Sequence, residues 1–174
     1  VMDKKEIKKN DSLFLVFFIP FIVTNVLLFF ELINSNDYLK DLLQDSQNLL
    51  EINTFKFNLF MGIIVVLFNV IILFVTFLFI KIVIQLVLRK EFFHERDLLI
   101  TLLLSASLSA ITSLLLSEFF SIGYFALSIT TSILEYVMFV LLYRVNIKDN
   151  KEVIMVAGVK LILLTANIIF VITM

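Results

Sequence analysis

Five long apolar stretches constrain this chain more than any other feature. A bilayer core about 30 Å thick is crossed by about 20 apolar helical residues at 1.5 Å each. The stretches run from Leu13 to Phe30, Phe57 to about Ile80, Leu98 to Leu116, Ile122 to Tyr143 and Val153 to Thr173, and the second continues apolar to Leu88. A transmembrane barrel would show dyad alternation in segments of about 10 residues, and these runs do not alternate. The first is too long for a signal-peptide core, lacks a small-x-small cleavage site and has four more spans behind it, so it reads as a span. The expected fold is all-α: a tail over residues 1–12, then one polytopic domain over 13–174 with five transmembrane helices.

Composition narrows the function classes. Of 174 residues 61% are hydrophobic and only 17% charged, where a soluble domain has about a quarter charged. Mean hydropathy is +1.07. A soluble enzyme, a disulfide scaffold and a disordered tail are all excluded, the second because the chain has no Cys. A formal charge of −1 leaves no basic surplus for nucleic acid. The lipid bilayer is the first partner implied, and a multi-pass position in a cell membrane the expected location. Twenty Phe beside abundant Ile, Leu and Lys read as AT-rich coding bias and point to a bacterial source.

Lys and Arg near span ends set orientation. The leader carries Lys4, Lys5, Lys8 and Lys9, while the loop from Glu31 to Lys56 holds Glu31, Asp37, Asp41, Asp45 and Glu51 against Lys40 and Lys56. Arg89, Lys90 and Arg96 follow the second span, Glu118 the third, and Arg144, Lys148 and Lys151 the fourth. Basic and acidic loops alternate, which predicts a cytoplasmic N-terminus and an external C-terminus. In the first external loop Leu39, Leu42, Leu43, Leu49 and Leu50 recur at helical spacing after Asn36, a capping residue type. The spacing predicts a short amphipathic helix, which either covers the bundle or docks a partner. Its acidity favours packing on protein over lying on anionic lipid.

Three ionisable residues lie within spans: Lys81, Glu135 and Lys160. Each costs roughly 2.5–3.5 kcal/mol at a helix centre unless it finds a partner or water. Glu135 precedes Arg144 by nine residues, and Lys160 follows Glu152 by eight. Both therefore sit about 12–14 Å inside the same boundary, on helices joined by a short loop. The depths predict a Glu135–Lys160 ion pair, with Lys81 reaching the same layer or snorkelling out. The cluster is either a register-fixing pair or a transport site.

In span three Thr101, Ser105, Ser109, Ser113 and Ser117 recur every fourth position beside Ala106 and Ala110. Such a stripe allows close helix approach and interhelical hydrogen bonds, with a leucine-rich face left for lipid. Asn25, Asn69 and Asn167 in spans one, two and five read as further interhelical glue, and Pro20 as a kink in span one. No catalytic constellation is present. His94, the one histidine, reads as a solvated loop residue, with Phe92 and Phe93 anchored at the interface. H-E-x-x-H is missing, and three Gly are too few for a phosphate loop. The expectation is a protein that is not an enzyme and holds neither cofactor nor metal.

The layout resembles the Yip family of five-span membrane proteins, in its bacterial branch. The likeness rests on a polar external loop, a long second span, the hinge Arg89-Lys90-Glu91-Phe92-Phe93-His94-Glu95-Arg96-Asp97, a Ser/Ala-rich third span and two last spans joined by a short basic turn. It covers roughly Leu13 to Met174. The resemblance implies a non-enzymatic accessory or adaptor protein that binds another membrane complex, an ATP-driven export transporter being the candidate. Its contact surfaces would be the helix at Leu39–Leu50 and the hinge at Phe92, Phe93 and Arg96. The alternatives are a small transporter or channel subunit acting as a homo-oligomer, and a bacteriocin immunity protein.

Overall fold

A computed structural model describes residues 4–88, 94–120 and 122–173, with side chains described from residue 16 onward except at 88. Among these residues there are six helices and no strand: α1 (Lys4–Asn34), α2 (Asp37–Leu49), α3 (Thr54–Leu88), α4 (Glu95–Phe120), α5 (Tyr124–Asn146) and α6 (Asn150–Thr173). All but α2 are long and apolar enough to cross a membrane. Helix is the form that satisfies every backbone N–H and C=O within one segment in hydrocarbon. With one Pro and three Gly in the chain, almost nothing interrupts these runs. α1 continues unbroken through Pro20, and its start at Lys4 places most of residues 1–12 inside that helix.

α4 is the centre of the bundle. Half of its apolar window is buried, against 17% for α3 and 11% for α5. α1 and α5 pack on α4, α6 packs on α5, and α3 lies across α1, α4 and α6. The residues Thr101, Ser105, Ser109, Ser113 and Ser117 are all buried. Two of them bond the neighbouring helices: Thr131 Oγ1 of α5 donates to Ser113 Oγ at 2.8 Å, and Ser117 Oγ donates to Glu31 Oε1 of α1 at 2.5 Å. Small side chains let the backbones approach, and the hydroxyls bridge the gap. Burial extends beyond the stripe over the first half of α4. Leu98, Leu102 and Leu103 are buried, and the leucine face opens outward only from Leu108. The reason is a cluster in which Ile80 and Ile84 of α3, Phe139 and Tyr143 of α5, and Val156 and Val159 of α6 close over Leu98 and Leu102.

α2 begins at Asn36, whose Oδ1 accepts from Leu39 N–H at 3.2 Å. It ends before Glu51, which takes the left-handed conformation at φ 53° and turns the chain toward α3. The five leucines divide. Leu39 and Leu43 are half-buried on the side of the bundle, whereas Leu42, Leu49 and Leu50 are exposed. At about 100° per residue, Leu42 and Leu49 fall some 60–80° to one side of Leu39, and Leu50 is already the cap residue.

The packing assigns different tolerances to two sites on α4. Ser109→Leu overpacks a position that is 1% exposed and should cost about 1–3 kcal/mol. Leu115→Val, at a position 53% exposed, should be near neutral. Thermal unfolding of the two variants in the same detergent checks the difference.

Candidate functional site

α5 and α6 are antiparallel neighbours joined by a three-residue connection, residues 147–149. That connection matches the depths of residues equally far from it. Lys160 Nζ donates to Glu135 Oε1 at 2.5 Å, with the lysine side chain 12% and the carboxylate 31% exposed. The ammonium also lies 5.7 Å from the centroid of the Phe139 ring, a cation–π position that fixes the lysine from a second side.

The pair stands on the wall of a cavity of about 370 Å³ to which all five long helices contribute. Asn25 comes from α1, Asn69 and Thr76 from α3, Ala106 from α4, Ser132 and Tyr136 from α5, and Asn167 from α6. Phe21, Ile72, Leu73, Leu102, Leu163 and Leu164 complete the lining with apolar surface. The three asparagines, read separately as glue, therefore share one cavity. Asn167 Nδ2 does bridge helices, donating to Ser132 Oγ at 2.9 Å. Asn25 and Asn69 instead donate Nδ2 to carbonyls of their own helices, Phe21 O at 2.8 Å and Val65 O at 2.9 Å. Neither amide oxygen is bonded by another described residue. Thr76 and Tyr136 carried no signal in the sequence, because single Thr and Tyr residues are ordinary in apolar helices.

Lys81 is not in this layer. Its Nζ bonds Glu95 Oε1 at 2.8 Å, in the first turn of α4, and it does not line the cavity. A long lysine stem near a helix end reaches outward to the nearest carboxylate instead of inward. His94 stays outside the helices with its side chain 41% exposed, as expected, but it has a partner. Its Nδ1 lies 3.1 and 3.2 Å from the two oxygens of Glu152, and Tyr143 Oη donates to Glu152 Oε1 at 2.8 Å. Glu152 is 9% exposed and Tyr143 1%, so the group ties the start of α4 to the end of α5 and the start of α6. A partner 58 positions away in sequence leaves no local signal at His94. Arg96 is exposed in the first turn of α4; Phe92 and Phe93 lie outside the described residues. On the stripe, Thr101 Oγ1 is buried with no described hydrogen-bond partner. Among the described residues no group of three His, Cys, Asp or Glu side chains is placed to hold a metal ion.

Comparison with known proteins returns no match: no protein-family model, no curated protein and no solved structure matches the chain.

Two consequences follow for stability. Glu135→Ala leaves a lysine side chain only 12% exposed without its carboxylate and should cost about 3 kcal/mol. Exchanging the charges, Glu135→Lys with Lys160→Glu, should recover most of that loss. If the double exchange unfolds while each single exchange is tolerated, the two residues do not act as a pair. Tyr143→Phe keeps the ring stacked on Phe139, 5.6 Å between centroids, but removes a donor from buried Glu152. It should cost about 1–3 kcal/mol, read as a lower midpoint in a detergent melt.

Proposed function

We propose that this chain is a multi-pass membrane protein of the small-transporter class, acting as an oligomer, that holds a small polar solute between its five spans. The single observation behind the reading is the cavity around Glu135 and Lys160. Pockets of about 300–1,000 Å³ that combine apolar walls with a few convergent polar groups are the usual form of small-molecule sites. Ionisable residues inside membrane spans usually mark substrate or ion pathways. A purely structural ion pair needs only its partner. It needs neither the open space beside it nor asparagines along that space whose amide oxygens are unbonded by any described residue. Five spans are few for a monomeric carrier, which is why the reading includes an oligomer. The alternation of loop charge supports an N-terminus on the cytoplasmic side.

A second reading is the accessory or adaptor role that the Yip resemblance implies. The exposed leucines of α2 support it: Leu42, Leu49 and Leu50 are 44%, 85% and 53% exposed. In that case α2 is the contact with a partner membrane complex, and Leu49→Asp should abolish co-purification of that complex while leaving the melting midpoint unchanged.

The transport reading requires water at the cavity. The chain has no Cys, so a single Ala106→Cys reports on this site without background. A charged, membrane-impermeant thiol reagent should modify it in proteoliposomes, and should leave the lipid-facing control Leu115→Cys unmodified. Equal and negligible labelling of both, from either side of the membrane, removes the transport reading.

A further inference from the structure

We infer that the ligand of this cavity is a small zwitterion, a primary ammonium and an oxyanion a few bonds apart on an apolar body, as in an α-amino acid. The inference rests on the transport reading above and adds the ligand class. Its first ground is charge balance. Glu135 and Lys160 are the charged side chains among the lining residues, so the wall has one positive and one negative group and no net charge. A lone cation or a lone anion entering this apolar surrounding brings a charge that nothing offsets. A zwitterion brings none.

The second ground is unused bonding capacity on both partners. Lys160 donates one of its three N–H groups to Glu135 Oε1. Among the described residues Glu135 Oε2 accepts no hydrogen bond. An ammonium can therefore settle on Glu135 while an oxyanion settles on Lys160, each ligand charge meeting its opposite without leaving a protein charge unpaired. The Phe139 ring keeps the lysine ammonium in place. The third ground is the rest of the lining. Asn25 and Asn69 line the cavity and have amide oxygens not bonded by any described residue, a type of acceptor that suits the remaining N–H groups of an ammonium. Ile72, Leu73, Leu163 and Leu164 offer an apolar surface to an aliphatic side chain. The volume, about 370 Å³, corresponds to roughly a dozen water molecules at about 30 Å³ each, which is room for one such molecule.

The same chemistry occurs free in water and on a phospholipid headgroup, and the test separates these sources. Ala106→Cys in phosphatidylglycerol vesicles is labelled with the impermeant thiol reagent alone, then with a mixture of α-amino acids, with propylammonium chloride, or with sodium propionate. A further arm replaces half of the lipid by phosphatidylethanolamine and adds no solute. At least fivefold slower labelling with the amino-acid mixture assigns a free zwitterion. The same slowing in the phosphatidylethanolamine arm alone assigns a lipid headgroup. Either result, with less than twofold slowing by the two single-charge probes, supports the inference. Equal protection by propylammonium or propionate overturns it, as does labelling that no probe slows. Both of those leave the transport reading standing, whereas an unprotected site that never labels removes the transport reading and the ligand class together. Glu135→Gln should keep the labelling and lose the protection. If that variant fails to fold, Asn69→Ala should weaken protection at least threefold, and unchanged protection there counts against the inferred site.

Discussion

Close approach of α1 and α5 to the hydroxyl face of α4 sets the spacing of the whole bundle. In lipid there is little hydrophobic gain from bringing two apolar helices together, so contact depends on shape and on hydrogen bonds between them. Ser105, Ser109, Ser113 and Ser117 supply both, because they are small and because Ser113 and Ser117 bond Thr131 and Glu31. Ser105 and Ser109 return their hydroxyls to carbonyls of α4 itself, Leu102 O at 3.1 Å and Ala106 O at 3.0 Å. That removes a donor that would otherwise go unsatisfied at the contact. Once α1 and α5 are seated, α6 follows α5 through a three-residue connection. The depth of Lys160 against Glu135 is then determined.

An ion pair in such a position is poor evidence for stability as such. The cost of taking two charges from water is offset only by good geometry and further hydrogen bonds, and apolar replacements of similar volume are often as stable. Here the geometry is close and a ring supports the lysine, yet the bonding capacity of both partners is incompletely used. The contrast with the group around Glu152 is informative. Glu152 receives both Tyr143 and His94 and sits at a helix junction, where a tie between three elements has an evident structural role. Glu135 and Lys160 tie two helices that the short connection already holds together.

Much of this was legible in the chain, for physical reasons that also mark the limit. The five apolar runs are long because the hydrocarbon is thick, so each span shows in sequence without reference to any other. The adjacency of Glu135 and Lys160 was open to the same arithmetic, since distance from a shared turn is a local quantity. Lys81 and His94 were not, because their partners Glu95 and Glu152 follow from how α3, α4 and α6 meet in space. The cavity was hidden for the same reason. Asn25, Asn69 and Asn167 stand on three different helices, and only the packing directs them to one space. The leucines of α2 show a finer limit: helical spacing gave a common side, but the width of that side exceeds the strip α1 can cover.

The second long helix has a mechanical consequence. α3 has 35 residues, about 52 Å at 1.5 Å each, well beyond a hydrocarbon core of about 30 Å. Near its end it is pinned, with Ile80 and Ile84 in the core cluster and Lys81 bonded to Glu95. Farther back, where it carries Asn69 and Thr76 along the cavity, its apolar surface faces mostly outward, as the exposure of Phe68, Ile71, Phe74 and Val75 shows. That part still packs inward through Leu73 and Phe77 against the core cluster, whereas α4 is bonded to its neighbours through hydroxyls on two sides. α3 is thus held at both ends, by Phe57 and Val65 on one side and Ile80 and Ile84 on the other, and the stretch between them presents most of its surface outward.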